Sequence, residues 1–325
     1  MKRVVIIGGG TGTFTLLSGL KNYPVNLSVI VPSSDDGGST GDLRKKLNVF
    51  PPGDIRQCLA GLAQNQTLAR VFSHRFESGP FRGHTVGNLI LAGMQLRYGS
   101  IDKAIEAASA LVNAKGEVLP VTLMPTTLSA IYEDGRVVVG EHNIDEPKKD
   151  FRFKILDLRL RPQGPTNPKV IKAIKQANAI IFSPGDLYTS LLPNLLVKGV
   201  AKAIIESKAK KILVANIVTK PGQTDGFKLS DFVAETNKYL GKNAIDIAIV
   251  NNKKPEQKML RQYARAKSEL VVMDTKVVKD WGVKIVEADL ISSQMFEKAK
   301  SDKLTRSVLR HDSTKTAKII YQLIK

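Results

Sequence analysis

The sequence predicts an α/β fold with a mostly parallel sheet and a small antiparallel insertion. Three observations carry this. Short runs rich in β-branched apolar residues alternate with stretches of helical periodicity. Glycine-rich loops follow several of those runs directly. Once, in mid-chain, an Asp-Gly turn between strand-like runs breaks the pattern and signals a hairpin.

The elements follow in order. Val4–Ile7 is a first strand and Phe14–Leu20 a helix; Leu27–Val31 is the second strand. A helix over Ile55–Ala63 opens at Pro51-Pro52-Gly53-Asp54, and an apolar helix runs from Asn88 through Leu96. Residues 119–152 form the insertion, with strand-like runs at Val121–Leu123, Ser129–Tyr132 and Val137–Gly140 around the turn Glu133-Asp134-Gly135. Further strands are expected at Ala179–Phe182, Lys211–Val218, Ile245–Val250 and Leu270–Met273. Helices over Pro168–Gln176, Thr189–Ile205 and Leu229–Leu240 fit between them, and this order of elements makes the sheet parallel. No repeat, low-complexity tract or linker divides the chain, so one domain over 1–325 is expected.

Composition bounds the function. The 325 residues can bury a large core, and 42% hydrophobic against 24% charged residues excludes a disordered chain. No apolar run reaches the roughly 18 residues of a membrane helix, and the first one stops at Gly8, short of a signal-peptide core of about 7–15. Cys58 is the only cysteine and the four histidines lack zinc spacing, so a cytoplasmic, reduced protein is expected. The net charge is +19, of which +11 falls in residues 201–325. Such a surface attracts polyanions. With 6% aromatics and no recognisable reader helix, nucleic acid is not the expected partner. The excess reads as a solvated lysine-rich surface, a docking face, or a field feeding a phosphorylated ligand.

Five loops can carry chemistry. Gly8-Gly9-Gly10-Thr11-Gly12-Thr13 joins a strand to a helix, where glycines admit a ligand to the backbone and the helix N-terminus offers N–H groups to an anion. Its spacing is neither G-x-G-x-x-G nor a Walker A loop, and a simple tight turn is the alternative. Asp35 and Asp36 run into Gly37-Gly38-Ser39-Thr40-Gly41. Such a pair can bind Mg²⁺ beside a phosphate or act as a general base, or it can be a polar loop. Asp54 reads as an N-cap, and Arg56, a cation in a first turn, suggests pairing with an acid such as Asp35 or Asp36. Asn88, in Gly83-His84-Thr85-Val86-Gly87-Asn88, is a better ligand candidate than His84. Gly185, Asp186, Thr189 and Ser190 form another strand–glycine–helix junction suited to phosphate.

Taken together these loops resemble the CofD superfamily, within it the YvcK-type branch of gluconeogenesis factors. The resemblance rests on Gly8–Gly12, Asp35–Arg44, Pro51–Arg56, Val86–Leu89, Leu119–Thr122, Pro184–Ser190, Asn216–Gly222 and Arg310-His311-Asp312, in that order nearly end to end. It implies a Rossmann-like three-layer sandwich. One branch of the superfamily, 2-phospho-L-lactate transferase, moves a phospholactyl group from a nucleotide diphosphate donor with Mg²⁺; there Asp35 and Asp36 would be catalytic or metal-binding. The YvcK-type branch implies a regulator of cell shape and of growth on gluconeogenic carbon that binds UDP-GlcNAc. Tyr263 and Arg310 are then expected nucleotide-sugar contacts. The expected partners are a nucleotide sugar or other nucleotide diphosphate, a regulatory protein or Ser/Thr kinase, and a second copy of the chain. Ser313, Thr314 and Thr316 beside Arg310 are candidate phosphorylation sites.

Overall fold

The computed structural model describes residues 1–147, 153–257, 260, 267–293 and 309–325. Seven strands make one parallel sheet: β1 (Lys2–Ile7), β2 (Val25–Val31), β3 (Glu117–Pro120), β7 (Ala179–Phe182), β8 (Lys210–Val214), β9 (Ile247–Asn251) and β10 (Lys284–Ala288). Their order is β10-β9-β8-β7-β1-β2-β3. Three more strands, β4 (Thr127–Tyr132), β5 (Val137–Val139) and β6 (Ile155–Arg161), form a separate antiparallel sheet in the order β5-β4-β6.

Both faces of the main sheet are covered, which is why its strands read as unbroken apolar runs. Successive side chains of β1 point to opposite faces. Val5 and Ile7 join one core with Phe182, Leu213 and Val250; Val4 and Ile6 join the other with Val29, Ile181 and Ile212. The second core is closed by α1 (Gly10–Leu20), α3 (Gly53–Leu62), α5 (Val86–Tyr98), α6 (Ile101–Leu111) and α13 (Ser313–Ile324). The first is closed by α8 (Pro168–Gln176), α10 (Val200–Glu206), α11 (Leu229–Leu240) and the buried face of the small sheet, Leu128, Ala130, Tyr132, Leu158 and Leu160. The shorter helices are α2 (Gly38–Leu47), α4 (Gln66–Ser73), α7 (Glu141–Asp145), α9 (Leu192–Leu196) and α12 (Thr275–Asp280). This is the expected α/β sandwich, and no helix among the described residues is long and apolar enough to cross a membrane.

The differences from the sequence reading have local causes. Leu119 and Pro120 belong to β3, an outer strand of the main sheet, and the third strand of the insertion is β6, beyond residue 152. The helix expected over Thr189–Ile205 is broken into a π-turn at Leu187–Leu191, α9 and α10. Pro193 cannot donate to a continuing helix, and Gly199 turns left-handed (φ 88°) between α9 and α10. Leu270–Met273 is extended but contributes only single bridges, Leu270 to Val218 and Val272 to Lys228. The fourth C-terminal strand is instead β10, whose Lys284 and Glu287 are exposed because it lies at the sheet edge.

The strand order places a site. From β1 the chain builds β2 and β3 to one side, then returns to lay β7 on the other side of β1. The loops leaving the carboxyl ends of β1 and β7 therefore part in opposite directions and open a crevice, where open α/β sheets bind ligands.

Candidate functional site

The loop after β1 and the loop after β7 are packed against each other. A Cβ on Gly12 would collide with the carbonyl oxygen of Pro184, so only glycine lets α1 approach this closely. Thr13 is fully buried, and its hydroxyl is spent inside the junction, on Gly9 O (3.1 Å) and Ser183 Oγ (2.7 Å). Thr13 therefore builds the loop from beneath. Ser190 Oγ faces Gly10 across the crevice, and Thr11 lies half-buried in the first turn of α1. Gly185 is held in place by Asn216, which accepts its N–H (3.1 Å) and donates to its carbonyl (2.8 Å). The first-turn N–H groups of α1 have no acceptors within the helix, and a helix end of this kind favours an anion.

Asp54 is not an N-cap. It sits in the first turn of α3, and its Oδ1 accepts the Gly10 N–H at 2.7 Å. A Cβ on Gly9 would strike the same carboxylate. The α3 N-terminus also touches the second loop, since Gly53 packs directly under Asp35 and Thr40.

The insertion reaches over this loop, which the strand pattern of residues 119–152 did not announce. The N–H of His142, in α7, donates to Asp36 Oδ1 at 2.8 Å. Asp35 accepts the Gly37 N–H (3.0 Å). Burial pushes the Asp35 carboxyl above its ordinary pKa, and the charges of Asp36 and Asp145 push the same way. Glu141, also in α7, is raised well above the usual range, first by burial and then by Asp145, Asp35 and Asp36, with Lys220 opposing. Lys220, in the loop after β8, pairs with Asp145 and, at 2.9 Å, with Asp186. Thr189 Oγ1 donates to Asp145 (3.1 Å), so that hydroxyl serves the insertion rather than the crevice. Gln223 donates to the same carboxylate (3.2 Å), while its buried Oε1 has no partner. Glu141, Asp145 and Gln223 lie in no motif of the sequence, and Lys220, within the Asn216–Gly222 segment, is given no role there; only the fold brings α7 and the β8 loop together.

A third cluster joins the starts of α2 and α5. Asn88 Nδ2 donates to Ser39 Oγ (3.0 Å), and Ser39 Oγ lies 3.0 Å from His84 Nδ1. Asn88 is 3% exposed, and its Oδ1 is buried without a partner. A buried acceptor left unmade is unfavourable by about 1–3 kcal/mol, a loss that native sites tolerate where a ligand satisfies the group.

The family model for 2-phospho-L-lactate transferase CofD matches residues 4–291, which span all these loops. The chain belongs to the CofD family. Its CofD relatives include proteins named gluconeogenesis factor from Bacillus subtilis, 38% identical over 325 residues (99% of this chain, 98% of the relative), and from Halalkalibacterium halodurans, 38% identical over 323 residues (99% and 96%). A crystal structure of a UPF0052-family protein (BH3568) from Bacillus halodurans superposes with a TM-score of 0.90 at 37% identity, covering 98% of this chain and 99% of that one.

The CofD resemblance also suggests Tyr263 and Arg310. Tyr263 lies outside the described residues. Arg310 is half-buried, and its carbonyl accepts the Ser292 N–H (2.9 Å). Next to it, His311 is buried with Nε2 donating to Ala215 O (3.1 Å), just past the end of β8. That contact brings the Arg310 segment to the carboxyl edge of the sheet. Asp312 caps α13 by accepting the N–H groups of Thr314 and Lys315, both at 2.9 Å. Thr316 is fully buried and donates to Asp312 O (2.7 Å), which removes it as a surface phosphorylation site; Thr314 is exposed. Among the described residues no group of three or more His, Cys, Asp or Glu is arranged to hold a metal ion. Mg²⁺ commonly takes only one or two carboxylates and completes its shell with water and ligand phosphates. In a CofD-type site Asp35 and Asp36 are the carboxylates available for that, although each already accepts a backbone N–H.

Proposed function

We propose that this CofD-family chain is a cytosolic regulator that binds a nucleotide sugar of the UDP-GlcNAc type and acts in cell shape and in growth on gluconeogenic carbon. One observation carries the reading: the β1 and β7 loops meet at the switch point of the sheet, with Gly12 against Pro184 and a helix N-terminus opening between them. That geometry suits a diphosphate, and Arg310 supplies charge-assisted hydrogen bonds from the β8 side. The relatives' names support the gluconeogenic role. Isothermal titration with UDP-GlcNAc is the test: saturable binding is expected, weakened by Arg310→Ala. Absence of saturable heat at millimolar ligand overturns the reading, as does full affinity in the Arg310 variant.

A second reading, a transferase acting on a nucleotide diphosphate donor, is favoured by the family-model match and by the raised pKa values of Asp35 and Glu141. Mg²⁺ would neutralise charge on the leaving diphosphate. Asp35 or Glu141, each biased by burial toward the protonated form, would exchange a proton with an acceptor hydroxyl or leaving group. No turnover across nucleotide diphosphate donors with Mg²⁺ eliminates this reading.

A further inference from the structure

The Ser39–His84–Asn88 cluster has the parts of an activated nucleophile. Asn88 Nδ2 can only donate, so Ser39 Oγ accepts from it at 3.0 Å and has its own proton left for His84 Nδ1, also 3.0 Å away. Burial pushes the His84 pKa below its ordinary value, with Lys46 and Arg75 acting the same way and Asp42 opposing. The ring is therefore neutral at physiological pH and able to accept. Ser39 stands in the first turn of α2, where the helix N-terminus stabilises a developing alkoxide. It is 9% exposed, shielded yet open at the edge of the loop that follows β2. Asn88 adds a second sign of a ligand, the buried Oδ1 that nothing in the protein satisfies.

We propose that Ser39 is a nucleophile activated by His84, and that it takes a phosphoryl group from a phosphoanhydride bound in the adjoining crevice. This rests on the diphosphate reading for its natural substrate class. In the step, Ser39 Oγ forms a bond to phosphorus as the bond from phosphorus to the bridging oxygen breaks. The Oγ proton passes to His84 Nδ1, and the leaving phosphate departs with the bridging electron pair and recovers that proton directly or through water. Asn88 holds the hydroxyl oriented and, through Oδ1, accepts a hydrogen bond from the ligand.

The test uses the full chain and a fluorophosphonate probe, which needs no nucleotide. Attack by Ser39 forms the Oγ–P bond, expels fluoride, and leaves an adduct that peptide mass spectrometry locates. A single adduct on Ser39 is expected, lost in Ser39→Ala and formed roughly a hundredfold more slowly in His84→Gln. Labelling should quicken as pH rises through the His84 titration, and UDP should protect against it. No adduct on Ser39 of the unmodified chain overturns the proposal without recourse to any variant; so does unchanged labelling in a His84→Gln protein that keeps the wild-type circular dichroism. Labelling without UDP protection keeps the nucleophile but rejects the phosphoanhydride. Failure of UDP-GlcNAc titration with labelling intact rejects only the nucleotide-sugar reading.

Discussion

The Asp54 carboxylate accepts the backbone N–H of Gly10 at 2.7 Å, joining the start of α3 to the start of α1 across 44 residues of sequence. A side chain that resembles a helix cap thus sets the height of the glycine loop over the sheet. A hydrogen bond to a charged acceptor contributes about 1.5–3 kcal/mol. Asp54→Ala should therefore lower the unfolding free energy in urea by about 2 kcal/mol. Asp54→Asn keeps an acceptor and should lose less. Equal losses in the two variants would show that the bond to Gly10 does not set the loop.

Two glycine substitutions should act in opposite directions. Gly12→Ala forces a methyl into the Pro184 carbonyl, a backbone group that cannot swing aside. Overpacking of this kind is destabilising by about 1–3 kcal/mol and should part the β1 and β7 loops, so ligand binding should fall with it. Gly93, in the middle of α5, has open space where a Cβ would stand. Gly93→Ala should stabilise by about 0.5–1 kcal/mol through helix propensity and a less flexible unfolded chain. Paired thermal melts would check both signs.

Glu141 supplies a pH test. Its folded pKa is raised above the unfolded value, so the folded state binds the extra proton. Stability is then full below about pH 4.3, the unfolded glutamate value, and declines as pH rises from there through the folded pKa. The facing charges are Asp145, Asp35, Asp36 and Lys220. Glu141→Gln, which cannot ionise, should be more stable than wild type at neutral pH, and the difference should vanish by pH 4. Denaturant titrations at a series of pH values would measure it. A variant less stable than wild type at pH 7 would mean that the charged form is satisfied in the fold.

What was legible in the sequence follows from how local each feature is. The strands β1, β7 and β9 are buried on both faces, so their apolar runs announced them; β10, an edge strand with Lys284 and Glu287 exposed, did not read as a strand. The glycine loops were visible because close approach of backbones needs particular residues at particular places, as at Gly12. The acidic cluster was not. Glu141 and Asp145 lie in a five-residue helix of the insertion, and Lys220 lies 75 residues beyond Asp145. Their meeting depends on α7 packing against the π-turn that follows β7, a tertiary fact with no local signature. The Ser39–His84 contact is hidden for the same reason, 45 residues apart with a glycine-flanked turn between.

His311 should make the C-terminal segment pH-sensitive. It is buried, donates through Nε2 to Ala215 O, and burial lowers its pKa from 6.5 to about 4, with the Ala215 bond opposing. The folded state therefore resists a proton that the unfolded chain takes up near pH 6.5. Above that pH the residue leaves stability unchanged with pH; between about 6.5 and 4 stability should fall as pH falls, by about 3 kcal/mol in all, and then level off. His311→Gln keeps a donor for Ala215 without the titration, so subtracting its pH profile from that of wild type isolates the slope. The consequence reaches the proposed ligand contact Arg310, because His311 connects it to Asp312, the cap of α13. Protonation leaves the Nε2–H bond to Ala215 in place but puts a charge in a buried site, so low pH favours opening of this segment to water, which frees Arg310 from the edge of β8. Nucleotide-sugar affinity should then decline toward pH 5 in wild type more steeply than in His311→Gln, as measured by titration calorimetry at matched ionic strength; parallel profiles would separate Arg310 from the His311 anchor.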